Sequence, residues 1–337
     1  MIPANLQETS PLIELWTSPR PRNVLQSISE SASESAEESC LNTTQAVNWM
    51  VENRGGIAKI AGLLLVPAQF IGADHASSQR IVDRLIQNQA ELFEKIRIPV
   101  DGKFLEGVIC YPEGWKKEDN SSCVVYSNPN GMAMASFFKN DRLSWSPAAI
   151  LEKKKCPIIL YDYRGVGINQ DTTSLSSFKF RATYETVVVD GQAVLEYAFR
   201  KFQQVEVSGS SLGGGVATVS LDRHLMRNPL DITRVKQLDN HDSFTTTSRV
   251  VFPNQHMIGD IIGATIGAQL DAMTSMKNLI DKNIKVLIIY HKQDPVIPLG
   301  ARMGDYVLTL PQKPNVTVFG SNSYGHANLS YDMIQYL

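Results

Sequence analysis

The chain has 337 residues, of which 43% are hydrophobic and 20% charged, an ordinary globular balance with room for one large α/β domain and an appendage. With 32 basic against 34 acidic side chains and a formal net charge of −2, no field is strong enough to recruit DNA or RNA, so nucleic acid is excluded as a partner. Four cysteines (Cys40, Cys110, Cys123 and Cys156) form no Cys-x-x-Cys pair; the last three lie in or beside apolar runs, as reduced core thiols do.

The opening MIPANLQETSPLIELW lacks a basic segment followed by an apolar one, so no signal peptide is expected and the cytoplasm is the default location. Export by some other signal stays open. Residues 27–39 (SISESASESAEES) are rich in Ser and Glu and read as a weakly ordered connector. Helical spacing follows in 43–54 and again in 76–94, where Ile81, Leu85 and Leu92 share an apolar face. Between them, 57–73 is apolar but broken by Lys59, Gly62, Pro67 and Gly72. A buried helical hairpin is the expectation there, with peripheral membrane contact as the alternative. Residues 1–94 thus read as an N-terminal helical extension.

From 95 onward the pattern changes. KIRIPV and FLEGVICYP flank Asp101-Gly102, a strong hairpin turn. SCVVYS, CPIILY, QVEVSGS, VKQLDNH, KVLIIY and NVTVFG then read as buried strands, with helical patterns at 183–200, 213–226 and 300–310. Short Val- and Ile-rich strands alternating with helices predict an α/β fold with a mostly parallel sheet covered on both faces. Residues 244–280 are expected to form a small cap. Within it, Ile258, Ile261, Ile262 and Ile266 fall on one helical face, which suits either a helix packed on the sheet or a lid over an acyl chain.

Gly209-Ser210-Ser211-Leu212-Gly213 fits G-x-S-x-G, between a strand-like QVEV and a helix-like GGVATVSLDRHL. A serine on so tight a turn needs tiny neighbours two positions away on either side. Its hydroxyl also needs a base, and the base an acid to hold its tautomer. Asp294 follows the strand KVLIIY and His326 follows NVTVFG, giving the order Ser, Asp, His along the chain. Both can return to the C-terminal edge of the sheet. His241, in LDNHDSF, is the rival base, with Asp239 and Asp242 as alternative acids. His75 lies in the N-terminal region, His224 on the helix after Ser211 and His256 in the expected cap, and His291 is expected to line a strand end. Two backbone N–H groups should face an oxyanion: Leu212, after the nucleophile, and Met132, in the loop NPNGMAMA after SCVVYS.

Residues 95–337 resemble the α/β-hydrolase superfamily in the order, spacing and motifs just given. Asp162-Tyr163-Arg164-Gly165-Val166-Gly167 resembles that family's D-x-R-G-x-G turn after the fourth strand, whose role is mainly structural. The resemblance implies a catalytic triad of Ser211, Asp294 and His326. Three positions depart from the family's habits: Asn130 where His often precedes the oxyanion Gly, Asn169 where Ser is frequent, and His291 where Gly often precedes the acid. The whole chain, through its long N-terminal extension and the P-N-G-M loop, also resembles a chlamydial and legionella branch that includes SidB-like effectors. That resemblance implies a bacterial protein delivered to a host cell.

The expected activity is hydrolysis of a carboxylic ester or thioester of lipid-like character through an acyl-enzyme. A peptidase using the same triad, or a binding module that kept the fold without turnover, are the alternatives. The sequence holds neither H-E-x-x-H nor G-x-G-x-x-G, and such a triad needs no metal or cofactor.

Overall fold

The computed structural model describes residues 75–170, 182–251 and 269–337. Cys40, the 57–73 hairpin, His256 and the isoleucine face of 258–266 lie outside them.

The described chain opens with helix α1 (His75–Asn88), whose Ser78, Val82 and Leu85 form the buried stripe. The helical pattern stops at Asn88, because a turn closed by Leu92 N–H to the Gln89 carbonyl (3.0 Å) intervenes; Leu92 therefore falls outside the helix. Strands β1 (Phe93–Val100) and β2 (Lys103–Cys110) form the expected antiparallel hairpin. Its two turn residues, Asp101 and Gly102, have φ of 46° and 76°, the positive pair that a two-residue type I′ loop demands.

Next come β3 (Ser122–Ser127), α2 (Trp145–Lys154) and β4 (Ile158–Tyr161). Helix α3 (Tyr184–Lys201) starts at a reciprocal cap in which Thr183 and Thr186 each accept the other's backbone N–H. β5 (Gln204–Ser210) leads directly into α4 (Leu212–Arg227), followed by β6 (Val235–His241). The remainder is α5 (Thr247–Val251), α6 (Ala272–Asp281), β7 (Val286–Gln293), α7 (Met303–Leu308), β8 (Val316–Tyr324) and α8 (Tyr331–Ile334).

The eight strands form one sheet in the order β1-β2-β4-β3-β5-β6-β7-β8. β2 pairs antiparallel with both β1 and β4, and every other neighbouring pair is parallel. β3 and β4 carry unbroken apolar or aromatic runs because helices cover both of their faces. One apolar core joins the sheet to α3, α4, α6 and α7; the other joins it to α1, α2 and α8.

Val82 and Leu85 of α1 are fully buried in the second core, each contributing about 1.5–3 kcal/mol of hydrophobic stabilisation, so residues 75–88 pack against the sheet. At the other end, α6 occupies the last part of the expected cap segment. It packs as a sheet-flanking helix, with Asn278 and Lys282 both hydrogen-bonded to Asp222 of α4 (3.0 and 2.6 Å).

Cys110, Cys123 and Cys156 are buried free thiols, as the apolar runs around them implied. Asp190 on α3 clamps the motif turn after β4, accepting both the backbone N–H and Nε of Arg164 at 2.8 Å. Asp162 accepts the N–H groups of Met134 and Ile168, tying that turn to the loop after β3. Asn169, where the family often has Ser, accepts the Glu106 N–H at 2.8 Å and donates to the Asp162 carbonyl at 2.7 Å.

Candidate active site

Ser211 is the single residue between β5 and α4. Its backbone sits at φ 54°, ψ −119°, a strained conformation for a residue with a side chain, and it is held there from two sides. The Ser211 N–H donates to the His241 carbonyl at 2.8 Å, and Ser243 Oγ donates to the Ser211 carbonyl at 2.9 Å. The neighbouring glycines are required by close approach. A Cβ on Gly209 would lie 2.2 Å from the Gly213 carbonyl oxygen, and one on Gly213 would lie 1.9 Å from that of Ser127.

Asp294 and His326 follow the C-terminal ends of β7 and β8, and the sheet register brings both to the same edge as Ser211. His326 Nε2 is 2.8 Å from Ser211 Oγ, and His326 Nδ1 is 2.7 Å from Asp294 Oδ2. Asp294 can only accept at Oδ2, so the proton belongs on Nδ1 and Nε2 is left to accept from the serine hydroxyl. The other oxygen, Asp294 Oδ1, accepts the N–H groups of Val296 and Ile297 (2.7 and 2.9 Å), which fixes the carboxylate in place. Burial grades along the row: the Asp294 side chain is 2% exposed, that of His326 16%.

The rival assignments are brought together differently. His241 is fully buried and meets Ser211 through its carbonyl, not its ring; burial lowers its imidazole from the ordinary value. Asp239 pairs with Lys154 at 3.0 Å, in a buried cluster that Lys154 shares with Glu206. Asp242 pairs with His291 at 2.8 Å. His224 bonds Asp231 at 2.8 Å and stacks on Phe199, while His75 Nδ1 lies 2.8 Å from the Ile168 carbonyl. None of these imidazoles contacts Ser211 Oγ.

Among the described residues, the N–H groups of Leu212 and Met132 have no hydrogen-bond acceptor in the protein. The loop carrying Met132 is anchored by Asp162 through Met134, two residues further on, and Gly131 beside it takes φ 84°. No three His, Cys, Asp or Glu side chains among the described residues converge to hold a metal ion. No described helix is long and apolar enough to cross a membrane.

Sequence reasoning missed three parts of the site: Ser243, which carries no local signal; the anchoring role of Asp162; and the pairing of Asp242 with His291. Each depends on residues far apart in the chain.

The strand order, the helices on both faces and the strained strand-to-helix serine define an α/β-hydrolase fold. No family model matches the chain, and no curated protein sequence does. Its backbone is similar to those of solved α/β proteins at low identity. The Pyrococcus furiosus esterase Pf2001 is 13% identical over 69% of this chain and 82% of its own, with a TM-score of 0.44. Est1E from Butyrivibrio proteoclasticus is 13% identical over 72% and 93%, with a TM-score of 0.46. An alpha-beta serine hydrolase homologue from Coxiella burnetii is 16% identical over 68% and 88%, with a TM-score of 0.40.

Proposed function

We propose that the protein is a serine hydrolase that cleaves a carboxylic ester or thioester through an acyl-enzyme. The observation that carries this reading is the unbroken relay from Ser211 Oγ to His326 Nε2 (2.8 Å) and from His326 Nδ1 to Asp294 Oδ2 (2.7 Å), at the C-terminal edge of the sheet. Ser211 Oγ attacks the acyl carbon as His326 Nε2 takes its proton. Asp294 stabilises the imidazolium without taking a proton itself. The N–H groups of Leu212 and Met132 donate to the oxyanion of the tetrahedral intermediate. Collapse of that intermediate expels the alcohol or thiol, which receives the proton from His326. Water, deprotonated by the same imidazole, then releases the acid.

A lipid-like acyl group is supported by exposed apolar side chains next to the acid and the base in the chain: Leu299 and Val296 after Asp294, and Tyr324 before His326. Labelling with a fluorophosphonate tests the reading, followed by a panel of acyl esters, thioesters and amides of graded length. Covalent modification at Ser211 with turnover of esters or thioesters is expected. Modification only at another serine would reject the assignment, and turnover of amides alone would move the activity to a peptidase or amidase.

A further inference from the structure

Resting on the serine-hydrolase reading above, we infer that Asp242 and His291 form a second buried Asp–His pair that positions His326 by gripping the residues on either side of it. The two side chains lie almost fully buried, at 1% and 2% exposure. Asp242 Oδ1 accepts the backbone N–H of His291 at 2.7 Å, and Oδ2 lies 2.8 Å from His291 Nδ1. The same Oδ2 accepts the backbone N–H of Ala327 at 2.9 Å, immediately after the base. On the other flank, the His291 ring packs so closely on Gly325 that a Cβ there would lie 2.7 Å from Nε2.

That grip matters because the base loop is not held by regular structure. Ala327 sits at φ 56°, a left-handed conformation that costs a residue with a side chain of order 1 kcal/mol and persists only where neighbours impose it. Ser146 adds a weaker contact from α2, its Oγ donating to the Ala327 carbonyl at 3.3 Å. Asp242 itself takes φ 43° and donates its N–H to the Ile289 carbonyl at 2.9 Å. It also directly follows His241, whose carbonyl holds the Ser211 N–H. The last residue of β6 therefore sets the position of the nucleophile and the residue after it that of the base. A carboxylate suits this place because all of its partners, two backbone N–H groups and an imidazole N–H, are donors.

The test measures fluorophosphonate inactivation at Ser211, separating the maximal rate of inactivation from the reagent's apparent affinity, alongside melting temperature. In D242N one oxygen becomes an amide that faces donors; in H291L the Nδ1 donor is lost. Both should slow inactivation roughly 10–100-fold with affinity changed less than about twofold, the signature of a misplaced base. H291N, whose amide can donate from near the place of Nδ1, should recover most of what H291L loses. If H291L does not fold, the comparison of D242N with H291N decides. Variants within twofold of wild type, or an H291N no better than H291L, would overturn the positioning role while leaving the hydrolase reading intact. A wild-type protein that is not labelled at Ser211 would remove both.

Discussion

The carbonyl of His241 accepts the backbone N–H of Ser211, so the histidine that rivals His326 in the sequence meets Ser211 through its main chain. The strained turn at Ser211 is thereby stitched to the neighbouring strand, and four predictions follow from how that stitching divides strain, charge and space.

Replacing Ser211 by glycine should separate stability from activity. The conformation at φ 54° costs a serine about 1–3 kcal/mol, and glycine relieves it at an entropic cost of about 0.5–1 kcal/mol. S211G is therefore expected to melt ~2–4 °C above wild type, from a net gain of about 1 kcal/mol. Turnover should fall on the order of 10⁶-fold, as loss of the nucleophile does where a triad acts as a unit. Calorimetry and an ester assay on the same preparation check both halves; a lower melting temperature would show that the turn is not strained.

Asp294 and Asp239 should respond oppositely to conversion to the amide. D294N removes the group that holds the His326 tautomer and should reduce turnover roughly 10⁴-fold with little change in melting temperature. D239N weakens a buried cluster in which Lys154 bridges Asp239 and Glu206, and should lower the melting temperature while turnover stays within a few-fold of wild type. The reverse pattern, a collapse of turnover in D239N alone, would move the acid to β6.

Buried carboxyls set a pH dependence of stability. Burial pushes the Asp162 carboxyl up to about 7 from its ordinary 3.8, against the pull of the Met134 and Ile168 N–H groups. The folded protein then keeps a proton between about pH 4 and 7 that the unfolded chain has released. Stability should accordingly fall as pH rises through that window, by at most ~4 kcal/mol from this group. Melting curves from pH 5 to 8 should slope downward, and the slope should flatten in D162N even though its melting temperature is lower throughout. An unchanged slope in D162N would assign the dependence to other groups, such as Asp190, which burial raises to about 6.

Gly213 and Gly131 should differ sharply as alanines. A Cβ on Gly213 would penetrate the Ser127 carbonyl at 1.9 Å, backbone that has no room to yield, so G213A should cost several kcal/mol and prevent accumulation of folded protein. Gly131 has open space around its would-be Cβ and only a φ of 84° to accommodate, so G131A should cost about 1–2 kcal/mol. Soluble yield and urea midpoints of the two variants check this; equal losses would mean that backbone conformation, not collision, governs the elbow.

Much of this molecule was legible in one dimension, for identifiable reasons. The period-two and continuous apolar runs marked every strand of the sheet, since a strand's burial is dictated within six or eight residues. Asp101-Gly102 marked the hairpin because positive φ is tolerated by few residue types. Gly209 and Gly213 flanked Ser211 because backbone atoms approach them too closely for a side chain, and that constraint is written in residue size. Asp294 and His326 stood out because each follows a strand, and the C-terminal ends of parallel strands share one edge. What the tertiary structure alone decided are contacts between groups distant in sequence with no local signature. His241 and Asp242, legible as a candidate base and acid, instead hold the Ser211 N–H through a carbonyl and the N–H groups of His291 and Ala327 through a carboxylate, contacts that exist only once β6 lies between β5 and β7. The end of α1 at Asn88, the burial of Val82 and Leu85, and the docking of α6 on α4 likewise depend on which surface is available to cover. Hydrophobic burial fixes a period along the chain, but the partner that completes it exists only once the sheet has formed.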